Sequence, residues 1–134
     1  MPEQNQIDLS LYRIEKADEC IRAALVLMEA KEYSAVLNRT YYAIFHAVRA
    51  VFALDSVDRK KHSGGISCFQ QNYVKTGLFD KEYSNIVQDA FEIRQESDYE
   101  DFYVILKEDV TLQLENAKKF VSQVKQYVEK LINR

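Results

Sequence analysis

VTLQLENAKKFVSQVKQYVEKL, residues 110–131, decides the fold class. Within it Val110, Leu114, Ala117, Val121, Val124, Val128 and Leu131 recur at unbroken steps of four and three. That is the period of one apolar face of an α-helix, whereas a half-buried strand would alternate at every second residue. Valine is a poor helix former, but a period sustained over this length outweighs individual propensities. The stretch predicts a long amphipathic helix from about Lys107 to near the C-terminus.

Working back along the chain, the same period returns. A helix opening at Asp80 as N-cap, with Glu82 favouring its positive end, carries Tyr83, Val87, Ala90 and Arg94 on one face. Gly77 punctuates the segment before it. A short helix is expected over about Ser63–Val74, with Ser63 as N-cap. The polar, basic stretch from Asp55 to His62 reads as a loop. Upstream lies a helix over about Tyr33–Leu54, with Leu37, Tyr41, Ile44, Val48 and Val51 as its main apolar stripe. The first helix spans about Asp8–Lys31 on Leu11, Ile14, Ala17, Ile21, Ala24 and Met28. Pro2 is the only proline, and the three glycines are Gly64, Gly65 and Gly77, so the long segments contain no breaker. Long helices with short connections form an all-α, up-and-down bundle of about five helices, here as a single domain over residues 1–134.

Composition narrows the function classes. Hydrophobic residues make up 47% and charged residues 29% of the 134, a globular balance. No stretch approaches the roughly 20 apolar residues needed to cross a bilayer. The N-terminal MPEQNQIDLS lacks the basic start and apolar run of a signal peptide, so a cytoplasmic location is expected and no membrane partner. Cys20 and Cys68 are far apart and in no metal-like spacing, and His46 and His62 are the only histidines. No metal site and no cofactor are expected from such a set. The formal net charge of −3 argues against nucleic-acid binding by bulk charge, though not against a local basic patch.

Two sets of residues could carry chemistry. The first lies in Asn38-Arg39-Thr40-Tyr41-Tyr42-Ala43-Ile44-Phe45-His46-Ala47. Arg39 and His46 are almost two turns apart, hence on one face about 10 Å apart along the axis. Tyr42 shares their stripe. Charges are sparse on this helix, so it should be covered on more than one side, and an arginine and a histidine there need partners. The second set is Arg94-Gln95-Glu96-Ser97-Asp98-Tyr99, followed by Glu100, Asp101 and Tyr103. Arg94 continues an apolar face and should point inward, with Asp98 placed to pair with it at i+4. The five acids between Glu92 and Asp101 would repel a phosphate backbone unless Arg39, the Arg59-Lys60-Lys61 run or a second subunit offset them. A plain structural reading stands beside each feature. Arg39, Arg94 and Asp98 would form an ion-pair network fixing helix register, and His46 would be a satisfied core histidine. The tyrosines would be core and interface residues, and the Arg59–Lys61 run a solvated loop.

At these residues the chain resembles the small stand-alone HEPN proteins of bacteria and archaea. The likeness rests on Arg39-Thr-Tyr-Tyr-Ala-Ile-Phe-His-Ala, on Lys61-His62-Ser63-Gly64 opening a short helix, and on Arg94-Gln-Glu-Ser-Asp-Tyr99, and it covers about Leu9 to Leu131. The resemblance implies a helical bundle that forms a homodimer. It also implies, for many members, metal-independent ribonuclease activity as toxins, or work beside a small nucleotidyltransferase partner that serves as antitoxin. The ribonuclease motif of the family is an arginine, four to six residues, then a histidine at the dimer interface. Arg94 takes the place of the arginine, but after four intervening residues this chain has Tyr99, and Gln95 follows the arginine where Asn, Asp or His is usual. The motif is therefore degenerate. Arg39 and His46 match its spacing but lie earlier than the motif belongs.

In such a reaction a base removes the proton of an RNA 2′-hydroxyl while a cation stabilises the charge on the attacked phosphate. Histidine suits the first task and arginine the second. An unperturbed tyrosine, with a pKa of about 10, is a poor base at neutral pH. The expected catalytic residues are Arg94, Asp98, Tyr99 and His46. Arg39, Tyr42, His62 and Tyr103 are the expected binding residues, and His46 or His62 is the replacement base if either reaches Arg94. Two other readings remain: a non-catalytic module binding RNA, a nucleotide or a protein partner, and a helical dimer without a ligand. Tyr99 and Tyr103 also leave room for regulation by tyrosine nucleotidylation.

Overall fold

The computed structural model describes residues 2–59 and 61–133. Five α-helices follow one another: α1 (Gln4–Glu29), α2 (Tyr33–Leu54), α3 (His62–Phe69), α4 (Lys81–Tyr99) and α5 (Lys107–Ile132). There is no strand among the described residues. α2 is the hub. It packs against α1, α3, α4 and α5, and buries 14 of its 22 residues, from Val36 to Leu54. A helix this poor in charge is stable in water only when wrapped in this way.

The α5 stripe behaves as its period requires. Val110, Leu114, Ala117, Val121, Val124 and Val128 are buried, with Leu131 half-buried at the frayed end. Phe120 joins them and packs edge-on against Phe69 at 5.6 Å. The main core gathers α1, α2, the α3 region, α4 and α5. A smaller cluster of Ala24, Val36, Leu37, Val110 and Leu114 closes the opposite end.

Three boundaries depart from the sequence reading. α1 begins at Gln4, four residues early, because the Glu3 backbone N–H donates to the Gln6 side-chain oxygen at 2.6 Å. It ends at Glu29, with Lys31 in the left-handed region at φ 60°. Its inner face also differs: Leu11 is 48% exposed, and Ser10 is buried instead, donating to the Ala50 carbonyl at 2.7 Å. Apart from Ile14, the buried residues of this face are small (Ser10, Ala17, Cys20 and Ala24), which lets the α1 and α2 backbones approach closely. α3 starts at His62, not Ser63; Lys61 holds the N-cap position, and Ser63 is an exposed residue of the first turn. The last five residues of that segment, Gln70–Val74, wind as a single π-helical turn. Asp80 does occupy the N-cap of α4, but its side chain makes no capping hydrogen bond. Lys60, in the middle of the basic run, lies outside the described residues.

Gly77 has φ 86°, a conformation that glycine adopts without strain. The turn it makes lets the Phe79 N–H reach the Tyr73 carbonyl at 2.9 Å and redirects the chain into α4.

Candidate functional site

The site is assembled where α4 and the start of α3 cross the middle of α2. Tyr41 and Tyr42, being adjacent, point about 100° apart around α2. Tyr41 is buried, and its hydroxyl lies 2.6 Å from Nδ1 of His62, the first residue of α3. Phe45, one turn on, packs its ring at a tilt against the same imidazole, with ring centres 4.3 Å apart. Arg94 arrives from α4 and lays its guanidinium over both tyrosines, 5.3 Å from the Tyr41 ring centre and 5.5 Å from that of Tyr42. Its Nη2 donates to the Tyr42 hydroxyl at 3.4 Å.

Asp98, one turn beyond Arg94, places Oδ2 3.0 Å from the Arg94 Nε. The angle is poor, so this contact is an ion pair rather than a directed hydrogen bond, and the buried Nε keeps no well-aligned acceptor. Arg94 is thus a cation 17% exposed, held by two π faces and one carboxylate. It is fixed in place while retaining capacity for a further anion.

Tyr42 joins the two sequence sets. Besides Arg94 it carries Arg39 at 5.3 Å from its ring centre, His62 edge-on at 5.7 Å and His46 at 6.3 Å. Arg39 donates through Nε and Nη2 to the Asn38 side-chain oxygen, at 3.1 and 2.7 Å. Both histidines are pushed below the ordinary imidazole range. For His62 the cause is burial, then Arg94 and Arg49. For His46 it is burial, then Arg49, Arg39, Lys16 and Arg13. Burial pushes the Tyr41 hydroxyl well up, so it stays protonated and serves as a hydrogen-bonding group.

Tyr99 lies elsewhere. It is 74% exposed and lines a shallow acidic depression with Glu92, Gln95, Glu96 and Glu100. A five-residue step along a helix turns a side chain about 140°, against about 40° for the four-residue step to Asp98. Within one chain, then, the tyrosine at the motif's second position does not converge on Arg94. Tyr103 is half-buried, and burial followed by Glu96 pushes its hydroxyl upward. The structure brings together Arg94, Asp98, Tyr42 and His62, with Arg39 and His46 on the other side of Tyr42. It also adds Tyr41, which the sequence reading assigned to the core alone. A buried tyrosine hydroxyl needs a partner, and that requirement was the available signal.

No group of three or more His, Cys, Asp or Glu side chains suited to a metal ion occurs among the described residues. No described helix is long and apolar enough to cross a membrane.

A profile of the HEPN domain matches residues 10–129. The chain belongs to the HEPN family. Its relatives include two proteins of Methanocaldococcus jannaschii that carry the name "Putative toxin". One, MJ0142, is 30% identical over 86% of this chain and 78% of its own length. The other, MJ0605, is 31% identical over 89% of this chain and 88% of its own. A UPF0332 protein of Thermotoga maritima is 30% identical over 90% of this chain and 91% of its own. The HEPN match reaches into every helix of the bundle and covers every residue placed in the site above.

Proposed function

We propose that this HEPN protein is the effector of a two-protein toxin–antitoxin system. In this reading it works as a homodimer beside a nucleotidyltransferase partner, and its Arg94 site engages a phosphate of RNA. The observation that carries the reading is the pairing, across Tyr41, of a fixed guanidinium with an imidazole held neutral at physiological pH. Arg94 supplies the planar fork that grips two phosphate oxygens. His62 is the histidine that shares a ring with Arg94 through a direct hydrogen bond, which favours it over His46 as the base. In the tautomer that carries its proton on Nδ1, toward the Tyr41 oxygen, Nε2 keeps a lone pair able to take the 2′-hydroxyl proton. The 2′-oxygen attacks phosphorus as the bond to the 5′-oxygen breaks, and the imidazolium or a water supplies the proton that this leaving oxygen takes up, so no step requires a metal. The degenerate motif supports a slow or strand-selective nuclease; the alternative is a site that binds RNA or a nucleotide without cutting it.

Cleavage of RNA in EDTA by the purified protein tests this reading, beside Arg94→Ala and His62→Ala variants of verified fold. Loss of a general base or of a charge-stabilising donor is expected to slow cleavage roughly 100-fold or more. A wild-type protein that binds RNA through Arg94 yet leaves it intact at high enzyme concentration would establish the binding-module reading instead. For the partner, Tyr99 is the exposed tyrosine at the degenerate motif. Intact mass after incubation with ATP and a co-purifying nucleotidyltransferase is expected to show added nucleotide, lost in Tyr99→Phe.

A further inference from the structure

The antiparallel packing of α1 on α2 aligns cations from both helices. Ser10 bonds the Ala50 carbonyl, Arg13 Nη1 donates to the Arg49 carbonyl at 2.8 Å, and Arg39 Nη1 reaches the Cys20 sulfur at 3.9 Å. That register sets Arg13 beside Arg49 and Lys16 beside His46, with Arg39 at the far end of the row. In a chain of formal net charge −3 this is a concentrated positive seam.

The cations in it are poorly compensated. Arg13 donates to a backbone carbonyl and feels Asp58 only at longer range, and Arg39 has the neutral Asn38 and Cys20; neither forms a salt bridge among the described residues. Arg49 has Asp58 at 3.7 Å, and its buried Nε has no acceptor. Lys16 has the exposed Glu19 at 3.4 Å. Half-buried guanidinium groups without carboxylates are costly unless an anion from outside completes them. From Arg39 to Arg49 the row runs about 15 Å along α2. That length calls for a ligand with several phosphates in line rather than one. Tyr12, 58% exposed with Lys16 5.3 Å over its ring, is an aromatic side chain at the edge of the row. A cationic track beside an exposed aromatic is the pairing that single-stranded nucleic acid uses, phosphates on the cations and a base on the ring.

We propose that the α1–α2 seam, Arg13, Lys16, Arg39 and Arg49 with Tyr12 at its edge, is a binding track for the backbone of a single-stranded nucleic acid. The proposal extends the reading of the Arg94 site from the attacked phosphate to the strand that carries it. Its test does not depend on cleavage. The seam adjoins Arg94 through Tyr42, so one strand can occupy both.

The experiment is fluorescence anisotropy with a labelled, uncleavable 2′-O-methyl RNA 12-mer and a DNA 12-mer of the same sequence, across a salt series. Lys16→Gln and Arg39→Gln are each expected to weaken binding roughly threefold and to flatten the salt slope by about 0.7. Lys119→Gln removes the same charge on the α4–α5 side, where Lys119 pairs with Glu82, and is expected to change nothing. Tyr12→Leu is expected to weaken binding of the oligonucleotides but not of inorganic polyphosphate, which has no base to stack. Because a variant can lose its fold, the wild-type His46 resonance is followed as well. A strand laid on Arg13, Lys16, Arg39 and Arg49 cancels the cations that depress this imidazole, so its titration is expected to move upward on binding. No saturable binding of either strand, equal affinity of Lys16→Gln, Arg39→Gln and wild type, or an unmoved His46 titration would overturn the proposal. So would equal loss in Tyr12→Leu for polyphosphate and oligonucleotide. If these hold while RNA is left uncut, the track stands and the cleavage reading alone falls.

Discussion

His46 and His62 are the two residues through which pH reaches this protein near neutrality. Both are depressed in the folded chain by burial and neighbouring cations, and both regain an ordinary value of about 6.5 when it unfolds. Below that pH the unfolded state binds more protons than the folded one. The stability contributed by the neutral imidazoles is therefore fully present above about pH 6.5 and is lost as pH falls. Urea midpoints at pH 7.5, 6.5 and 5.5 are expected to decline, and the decline to be shallower in a His46→Gln, His62→Gln double variant. An identical decline in the double variant would mean that other groups carry it. The same depression predicts that any RNA cleavage rises with pH through the lowered His62 value and is already flat at pH 7. At Tyr41, removing the hydroxyl with Phe leaves the ring under Arg94 and takes away the hydrogen bond to His62. The expected cost is about 1 kcal/mol in denaturant unfolding, with cleavage reduced far more than stability.

Among the elements, α3 shows how closely the site depends on a short helix. Gly64 and Gly65 are adjacent within it, yet a side chain has different consequences at each. A Cβ on Gly64 would meet only the Lys61 Cβ at 4.0 Å, whereas on Gly65 it would press the Phe45 ring at 3.1 Å. Phe45 is the ring packed against His62. Gly64→Ala is expected to stabilise the protein by about 0.5–1 kcal/mol, the difference in helix propensity. Gly65→Ala gains the same propensity but is expected to lose it, and up to about 2 kcal/mol more, to overpacking. It should also shift the His62 ring resonances, which Gly64→Ala should leave in place. The elements differ in how much of this the sequence disclosed. α5 was legible because a single-period apolar run leaves one inner face, and α2 because its scarcity of charge marks a helix covered on more than one side. α1 was legible in part: Ile14, Ala17 and Ala24 of the expected stripe are buried, while Ser10 and Cys20 also face inward and Leu11 lies outside. Arg94 was placed inward by continuing the stripe of Tyr83, Val87 and Ala90. Its neighbours Tyr41 and His62 come from elements 21 residues apart in the chain, and only the fold juxtaposes them. The seam of α1 cations was illegible for a related reason: only the antiparallel register sets Arg13 and Lys16 beside Arg49 and His46.

At the scale of the whole molecule, surface character is divided by face. The α1–α2 seam is cationic, the end of α4 is acidic, and the connection from α4 to α5 is apolar and exposed. In that connection Val104 is 74% exposed, Leu106 53% and Phe102 99%, next to the 74% exposed Tyr99 that ends α4. Phe102 also sits at φ 59°, a left-handed conformation that is strained for an aromatic residue. An isolated chain gains nothing from either the exposure or the strain. In the homodimer proposed above, both would be offset by burial against the second copy. The two cases predict opposite outcomes for Phe102→Gly. In a monomer the substitution relieves the left-handed backbone and should raise stability by about 1 kcal/mol, independently of protein concentration. In a dimer that buries the ring it removes an apolar anchor, and light scattering should show wild type at twice the chain mass and the variant shifted toward the single chain. Dimer stability depends on protomer concentration, so the wild-type unfolding midpoint should rise with concentration and that of Phe102→Gly should rise less. A wild-type mass of one chain at working concentration would remove the dimer. It would also leave Arg94 and His62 of a single chain to do whatever chemistry the site performs.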